Sequence, residues 1–411
     1  MRVKKFILPI LLILILIIFD KVFLKAFTRA NNYFLNQSLY SSEETSAQKL
    51  FDKTWRVIEK DYFDSSLNHQ DWSRWKLRYQ NKIKTEEDAK VAIDTMIASL
   101  DEPYTRFMNK KDFEDLATSI TSKIYGIGVN IYSNSGKVEI FNVLQSTPAD
   151  LAQLKQGDVI INVDGKDTNG MNVSEVATLV RGPENSIVEI TVLRDGKKLT
   201  KKIKRKEIKI KNVKSSVIDN HIGYIQVISF MGGTTPNEFM EALENTKDTD
   251  SLIIDLRGNT GGLLDNAVFI ANRFITQGEI VEIIYRNGHK KSIFADFGQN
   301  ELKKPLVVLV NGASASASEI LSGALKDYNK ALLIGKKTFG KGLVQKVVPL
   351  PNRTGLNVTV AKYLTPKGTD INKLGIKPDI EIGNEYDYFI NNSKKDVQLE
   401  KAKEVLNAKL K

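Results

Sequence analysis

One stretch, residues 305–345 (PLVVLVNGASASASEILSGALKDYNKALLIGKKTFGKGLVQ), limits the architecture more than any other. Its opening apolar run, LVVLV at 306–310, is too short for a buried helix and β-branched enough for a buried strand. Small residues follow, and then Ile320, Leu321, Ala324, Leu325 and Tyr328 recur at helical spacing. The Gly, Ala and Ser residues therefore form a strand-to-helix turn. A turn of that kind admits a substrate backbone and presents free N–H groups at a helix N-terminus, where developing negative charge is stabilised. From residue 223 onward strands and helices alternate (GYIQVISF, a helix over 236–247, SLIIDLRGNTGG, a helix from 263), which argues for an α/β core.

Two uses of the serines stand open on the residues alone. Ser316 and Glu319 have the S-x-x-E spacing of a capping box, which satisfies orphan helical N–H groups without chemistry. Equally, Ser316 can be a nucleophile with Lys341 as its base, because Gly340 and Gly342 let the chain bend and deliver the amine inward. A lysine accepts a proton only when neutral, a state that costs about 4–5 kcal/mol at neutral pH from an ordinary pKa of about 10.4. The amine must then be partly buried and kept from carboxylates, and Thr338, Phe339, Leu343 and Val344 offer neutral surroundings. A phosphate-binding loop also overlaps here, since Gly335, Gly340 and Lys341 fit most of G-x-x-x-x-G-K-[ST]. It fails where Gly342 replaces the magnesium-binding hydroxyl and where LVQKVVPL alternates like a strand in place of a helix.

The run ASASE at 315–319, with TFGKGLVQ at 338–345, resembles the active-site signature of the carboxyl-terminal processing peptidases, serine peptidases with a Ser/Lys dyad. The resemblance implies that Ser316 is the nucleophile, Lys341 the general base and Gln345 the residue that orients the lysine, with no cofactor. Ala313 stands where the family usually has glycine. DLRGNTGG at 255–262 resembles a second signature of the family, with Thr260 in place of the usual proline, and implies an oxyanion hole from Gly261 and the N–H of Ala317. LDEPYTRFM at 100–108 and YLTPKGTDINKLGIKPD at 363–379 resemble the family's segments before its second domain and at its close, the former with a structural or dimerisation role. YGIGV at 125–129, followed by KVEIFNV, STPADLAQLKQGDVIINVDGK and IVEITVLRDGK, resembles a PDZ domain, with Gln153 replacing a common glycine. That places Gly126, Ile127, Gly128 and Val129 in the loop that takes a peptide's terminal carboxylate, and Arg181, within RGPENS, as a candidate gating contact. Such domains bind by adding a peptide strand to a sheet edge.

The expected protein is a multidomain α/β chain. Residues 1–30 form a signal anchor or signal peptide, 46–118 a helical platform, 119–211 the PDZ β-domain, 218–382 the peptidase core and 383–411 a charged tail with an exposed helix. By resemblance the core is of the ClpP/crotonase-like type. The chain of 411 residues has no cysteine, which removes thiol nucleophiles, disulfides and cysteine-ligated zinc, and its three histidines (His69, His221, His289) have no metal-ligand spacing, so no metal is expected. A Ser/His/Asp triad is hard to build from so few histidines, which favours a lysine base. The net charge of +11 is local: residues 1–30 carry +5 and residues 197–214 carry +9, leaving −3 elsewhere. The second cluster reads as a strand edge with a solvated basic face, and the lack of aromatic interleaving and of a nucleic-acid fold signature argues against a nucleic-acid role, so no nucleic-acid partner is expected. The first flanks FILPILLILILIIF, so the chain is expected to be exported and membrane-anchored, facing the periplasm or exterior. Its partners are then proteins or peptides with apolar C-termini, with a homo-oligomer left open. A PDZ adaptor with an inactive core is the other function class compatible with these motifs.

Overall fold

A six-stranded sheet carries the molecule's largest core. Its order is Val213–Ile218, Ile222–Val227, Ser251–Asp255, Leu306–Val310, Leu332–Gly335, Ile380–Glu381, antiparallel only at the first pair. Ser251–Asp255 and Leu306–Val310 are buried along their whole length, as parallel strands covered on both faces must be, which is why they read as continuous apolar runs. Side chains alternate: Leu306, Val308 and Val310 join Phe239, Ile270, Leu321 and Ala324 of the helices Thr235–Asn245, Leu264–Ala271 and Ala317–Asp327. Val307 and Leu309 face the other way, onto Ala402 and Leu406. The computed structural model describes residues 46–121, 123–134, 136–209, 211–296, 301–383 and 396–409. The expected anchor at 1–30 lies outside the described residues, and no helix among them is long and apolar enough to cross a membrane.

The tail corrects an expectation. Its helix, Val397–Lys409, is not an exposed appendage but covers the second face of the sheet, with Gln398, Ala402 and Leu406 fully buried at a spacing of four. That stripe is narrow among charged residues, so it is weak as a sequence signal.

A second sheet has the order Arg106–Met108, Thr354–Leu364, Glu279–Tyr285, Lys290–Phe294, and Leu343–Leu350 also pairs with Thr354–Leu364. The N-terminal helices Ala47–Asp61, Ser73–Tyr79 and Glu86–Ala98 bury Phe51, Trp55, Ile58, Trp75 and Met96 against Leu350, Leu356 and Val358 of this hairpin. The helical platform is therefore not a body of its own: the described residues up to Thr121 and from Asn212 onward make one compact unit. The helix Lys110–Thr121 runs through the expected boundary at 119, and the second unit is Ser122–Lys211.

That second unit holds a sheet in the order Val129–Asn134, Lys137–Val143, Val159–Val163, Ile187–Arg194, Lys197–Lys204 around Ile140, Val163, Val176, Val188 and Ile190. The basic run forms its edge strand, Lys197–Lys204, with Ile203 buried and Lys198, Lys202 and Lys204 exposed. A charged edge resists pairing with another chain. Gln153 has φ +60°, the backbone conformation for which glycine is the usual choice.

Candidate active site

Two loops at the C-terminal ends of the parallel strands meet here. Asn259, buried, donates from Nδ2 to the Val227 carbonyl (2.7 Å) and accepts at Oδ1 from the Gly261 N–H (2.9 Å). Its carbonyl accepts from Ala315 N–H (3.1 Å) and from the Ser318 hydroxyl (2.8 Å). The Ser314 hydroxyl donates to the Leu256 carbonyl (2.8 Å), and Asn311 Oδ1 accepts from Gly258 N–H (3.0 Å) and Ala313 N–H (3.2 Å). Ser314 and Ser318 thus spend their hydroxyls holding the two loops together and are fully buried. Ala313 needs no left-handed backbone, so an alanine there carries no strain.

Ser316, between them, is different. It is half-buried, and its backbone has φ +56° and ψ −113°, a region costing about 1–3 kcal/mol for a residue with a Cβ. Its hydroxyl faces the Glu319 N–H across a capping box but makes no close hydrogen bond to it, because that N–H goes to the Ser316 carbonyl (2.7 Å). The capping-box arrangement expected for Ser316 and Glu319 is thus present, its firm half being Glu319 Oε2, which accepts from Ser316 N–H (2.9 Å).

Glu319 does more than cap. Fully buried, it also accepts from Lys341 N–H at Oε2 (2.9 Å), and from Gly340 N–H (2.7 Å) and the Thr338 hydroxyl (2.6 Å) at Oε1. Tyr363, buried on the strand Thr354–Leu364, places its hydroxyl 3.1 Å from the Ser316 carbonyl and 2.7 Å from the Lys341 carbonyl. One carboxylate holds the N–H groups of both residues, and one phenol reaches both carbonyls. Neither role was legible in the sequence: Glu319 was visible only as a cap, and Tyr363 carries no local signal.

The loop that presents Lys341 owes its path to its glycines. Gly340 has φ +89°, and a Cβ there would stand 2.8 Å from Gly375 N, while one on Gly342 would stand 2.8 Å from Asn372 N. Lys341 is half-buried. Burial pushes its amine below the usual lysine range; Glu102 opposes that, Arg106 adds to it, and Glu319 opposes it. The expectation that the amine is kept from carboxylates is thus corrected, with the Arg106 charge working against them. Phe339, counted among the neutral surroundings, is itself exposed.

Ser316, Lys341 and Gln345 line one cleft of about 310 Å³, together with Gly261, Ala317 and Arg106. Gln345 follows a register shift in Leu343–Leu350, and its Nε2 donates to Thr359 Oγ1 (3.4 Å), which donates to Glu102 Oε2 (2.9 Å). Gly261 has φ +101°, and a Cβ there would lie 2.9 Å from Ser316 Cβ and 3.0 Å from Ala317 N. Its own N–H is taken by Asn259, whereas the Ala317 N–H, at the first position of the helix, has no backbone acceptor among the described residues. The site lacks any candidate for metal ligation among the described residues.

In the second unit, Gly126 ends the strand Lys123–Gly126, Ile127 is buried with its carbonyl accepting from Ala149 N–H (2.8 Å), and Gly128 has φ +88° with Thr147 in its lee. Val129 opens the strand Val129–Asn134, which is terminal in its sheet and lies against the helix Val173–Val180. A free strand edge beside a helix is the geometry that strand addition needs. Arg181 caps that helix and is exposed.

A model of Peptidase family S41 matches residues 221–382 and one of the PDZ domain matches residues 126–204. The chain is 38% identical over 348 residues to the carboxyl-terminal-processing protease of Synechocystis sp., spanning 82% of this chain and 81% of that protein. It is 35% identical over 364 residues to the carboxy-terminal processing protease CtpA of Bacillus subtilis, spanning 87% and 73%. The solved structure of a photosystem II D1 C-terminal processing protease is similar with a TM-score of 0.55 and 34% identity, over 82% of this chain and 93% of that one. With a PDZ unit, an S41 core and this degree of identity over most of its length, the chain belongs to the carboxyl-terminal processing proteases and is a serine peptidase.

Proposed function

We propose that the chain cleaves exported proteins near their C-termini with a Ser316/Lys341 dyad. Ser316 Oγ attacks the scissile carbonyl while neutral Lys341 takes its proton. The tetrahedral oxyanion meets the Ala317 N–H and the positive end of the helix Ala317–Asp327, with Gly261 close enough to shape the pocket. Collapse breaks the C–N bond as the lysine ammonium donates to the leaving amine, leaving an acyl ester on Ser316. Water, deprotonated by Lys341, then releases the acid and restores both groups. Gln345 orients the lysine side of the cleft through its bond toward Thr359. The single observation that carries this reading is Ser316: of three alternating serines it alone keeps its hydroxyl out of loop stitching, in a strained turn beside a half-buried lysine.

The loop at Gly126, Ile127, Gly128 and Val129 binds the substrate's terminal carboxylate and raises the local concentration of substrate at the dyad, with Arg181 as a gating contact. The N-terminal segment anchors the enzyme in a membrane, with its catalytic unit facing the periplasm or exterior. The test is cleavage of a purified protein with an apolar C-terminus by the wild type, Ser316→Ala and Lys341→Arg. Both variants are expected to be inactive and folded, because arginine keeps the charge but cannot release its proton. Near-normal turnover by Lys341→Arg removes lysine from the mechanism. Peptide binding without cleavage by the wild type would instead favour the adaptor reading.

A further inference from the structure

Segment 100–108 was expected to be structural, yet it reaches the lysine. The Lys341 Nζ lies 4.7 Å from the centroid of the Tyr104 ring. That ring sits on a fixed turn: Glu102 Oε1 accepts from Tyr104 N–H (2.7 Å), while Oε2 accepts from Thr105 N–H (2.9 Å) and the Thr105 hydroxyl (2.8 Å). Asn357 Nδ2 donates to the Tyr104 carbonyl (3.0 Å), and Arg106, two residues on, pairs with Asn357 across the sheet. The turn is therefore clamped between a carboxylate and a strand, and its ring is half-buried.

We propose that Tyr104 is a positioning residue for the catalytic base, its ring face seating the Lys341 ammonium after it has taken the Ser316 proton and in the protonated, inactive form that prevails at the acid end of the profile. An aromatic face attracts a cation and does little for a neutral amine, so the ring stabilises only the protonated state. The charged groups acting on the amine are Glu102 and Arg106 from the same segment and Glu319 from the helix Ala317–Asp327. Glu102 and Glu319 are held by N–H and hydroxyl donors, so neither is free to follow the lysine as it moves. The ring face offers the ammonium a partner that it can leave without breaking a hydrogen bond. Tyr104 thereby sets the pH at which the base becomes available. This inference rests on Lys341 being the base.

The test is the acid limb of kcat/KM against pH. Removing the ring withdraws support from the ammonium, the lysine pKa falls, and the limb for Tyr104→Leu moves to lower pH by about 0.4 to 1.5 units. Tyr104→Phe keeps the face and leaves the limb in place. A limb that stays put or moves to higher pH in Tyr104→Leu overturns the proposal, since a packing role alone predicts loss of rate without an acidward shift. If Tyr104→Leu does not fold, Tyr104→Trp tests the opposite direction: its stronger cation-binding face moves the limb to higher pH, and an unmoved limb overturns the proposal. A second readout needs no turnover: reductively methylated lysines with a carbon-13 label are titrated by NMR in Ser316→Ala, with the Lys341 signal assigned by its loss in Lys341→Arg. The Lys341 signal should titrate lower when Tyr104→Leu is added, and an unchanged titration overturns the proposal. Should Lys341→Arg remain active, the dyad reading fails by itself, while the NMR titration still decides the ring's effect on the amine.

Discussion

Replacing Glu319 by glutamine changes one atom in a buried group and should disable the enzyme. The carboxylate accepts four hydrogen bonds, from Ser316 N–H, Lys341 N–H, Gly340 N–H and the Thr338 hydroxyl. A glutamine amide has one acceptor oxygen and an NH2 group that only donates. If the oxygen keeps Gly340 and Thr338, the NH2 faces the N–H groups of Ser316 and Lys341; if it is flipped, it faces the Gly340 N–H, and the Thr338 hydroxyl must turn from donor to acceptor. Either way two hydrogen bonds to a charged acceptor are lost, each worth about 1.5–3 kcal/mol, or about 3–6 kcal/mol together. When the chain relaxes by moving the Ser316 turn from the Lys341 loop, that loss falls on the transition state and corresponds to a drop in kcat of about 10²- to 10⁴-fold. Steady-state cleavage with a protein substrate measures it, and KM should stay within about threefold because the variant leaves the substrate-binding surfaces in place. Thermal unfolding separates the remainder, which should appear as a Tm lowered by several degrees. A Glu319→Gln enzyme with kcat within about threefold of wild type would refute the view that this carboxylate holds serine and lysine in register.

Three further outcomes follow from the same geometry. Gly261→Ala should fold but lose at least about 100-fold in kcat, because its methyl would stand 2.6 Å from Ala315 O and 2.9 Å from Ser316 Cβ at a φ of +101°; near-normal kinetics would show that this loop does not border the reacting carbonyl. Asp396→Ala removes a bidentate partner (2.8 and 2.9 Å) of the buried Arg257, which retains Asp255, so unfolding should be easier by about 2–3 kcal/mol and Tm lower by several degrees, against a prediction of no change if the tail helix is merely adherent. Amidating a substrate's C-terminal carboxylate should slow cleavage below saturation and leave a short generic peptide little affected; equal rates for amide and acid would remove carboxylate recognition by the Gly126–Val129 loop.

What could be read from the sequence was local. LVVLV became the buried strand Leu306–Val310, the apolar spacing from Ile320 became the helix Ala317–Asp327, and LVQKVVPL became the strand Leu343–Leu350, because period and length are written in consecutive residues. The glycines flanking Lys341 announced the bend that they make. The rest of the site comes from pairs distant in sequence: Glu102 meets Thr359 across 257 residues, and Arg257 meets Asp396 across 139. No local pattern encodes those contacts. Tyr104 and Arg106 escaped for the same reason, since a motif read as supporting structure gives no sign of which side chain it turns toward a cleft. The tail helix was expected but its burial was missed, because three buried positions among lysines and glutamates do not outweigh the polar residues between them.

The strain at Ser316 argues for the chemistry from a direction independent of any motif. A turn needed only to join a strand to a helix would be relieved by glycine at φ +56°, gaining about 1–3 kcal/mol, and an adaptor has no use for a hydroxyl at that position. Here the serine is kept, and its carbonyl accepts from Glu319 N–H (2.7 Å) and Ile320 N–H (2.9 Å) while its N–H donates to the Glu319 carboxylate (2.9 Å). Those three bonds fix the backbone of Ser316 on both sides and leave its side chain as the part able to turn. The hydroxyls on either side, of Ser314 and Ser318, are already committed to Leu256 and Asn259, so rotation at Ser316 does not unlace the loops. In the mechanism proposed above the nucleophile must pivot between its base and a carbonyl without disturbing the N–H that would receive the oxyanion, and Ala317, the next residue, sits at the start of a helix whose position this arrangement holds constant.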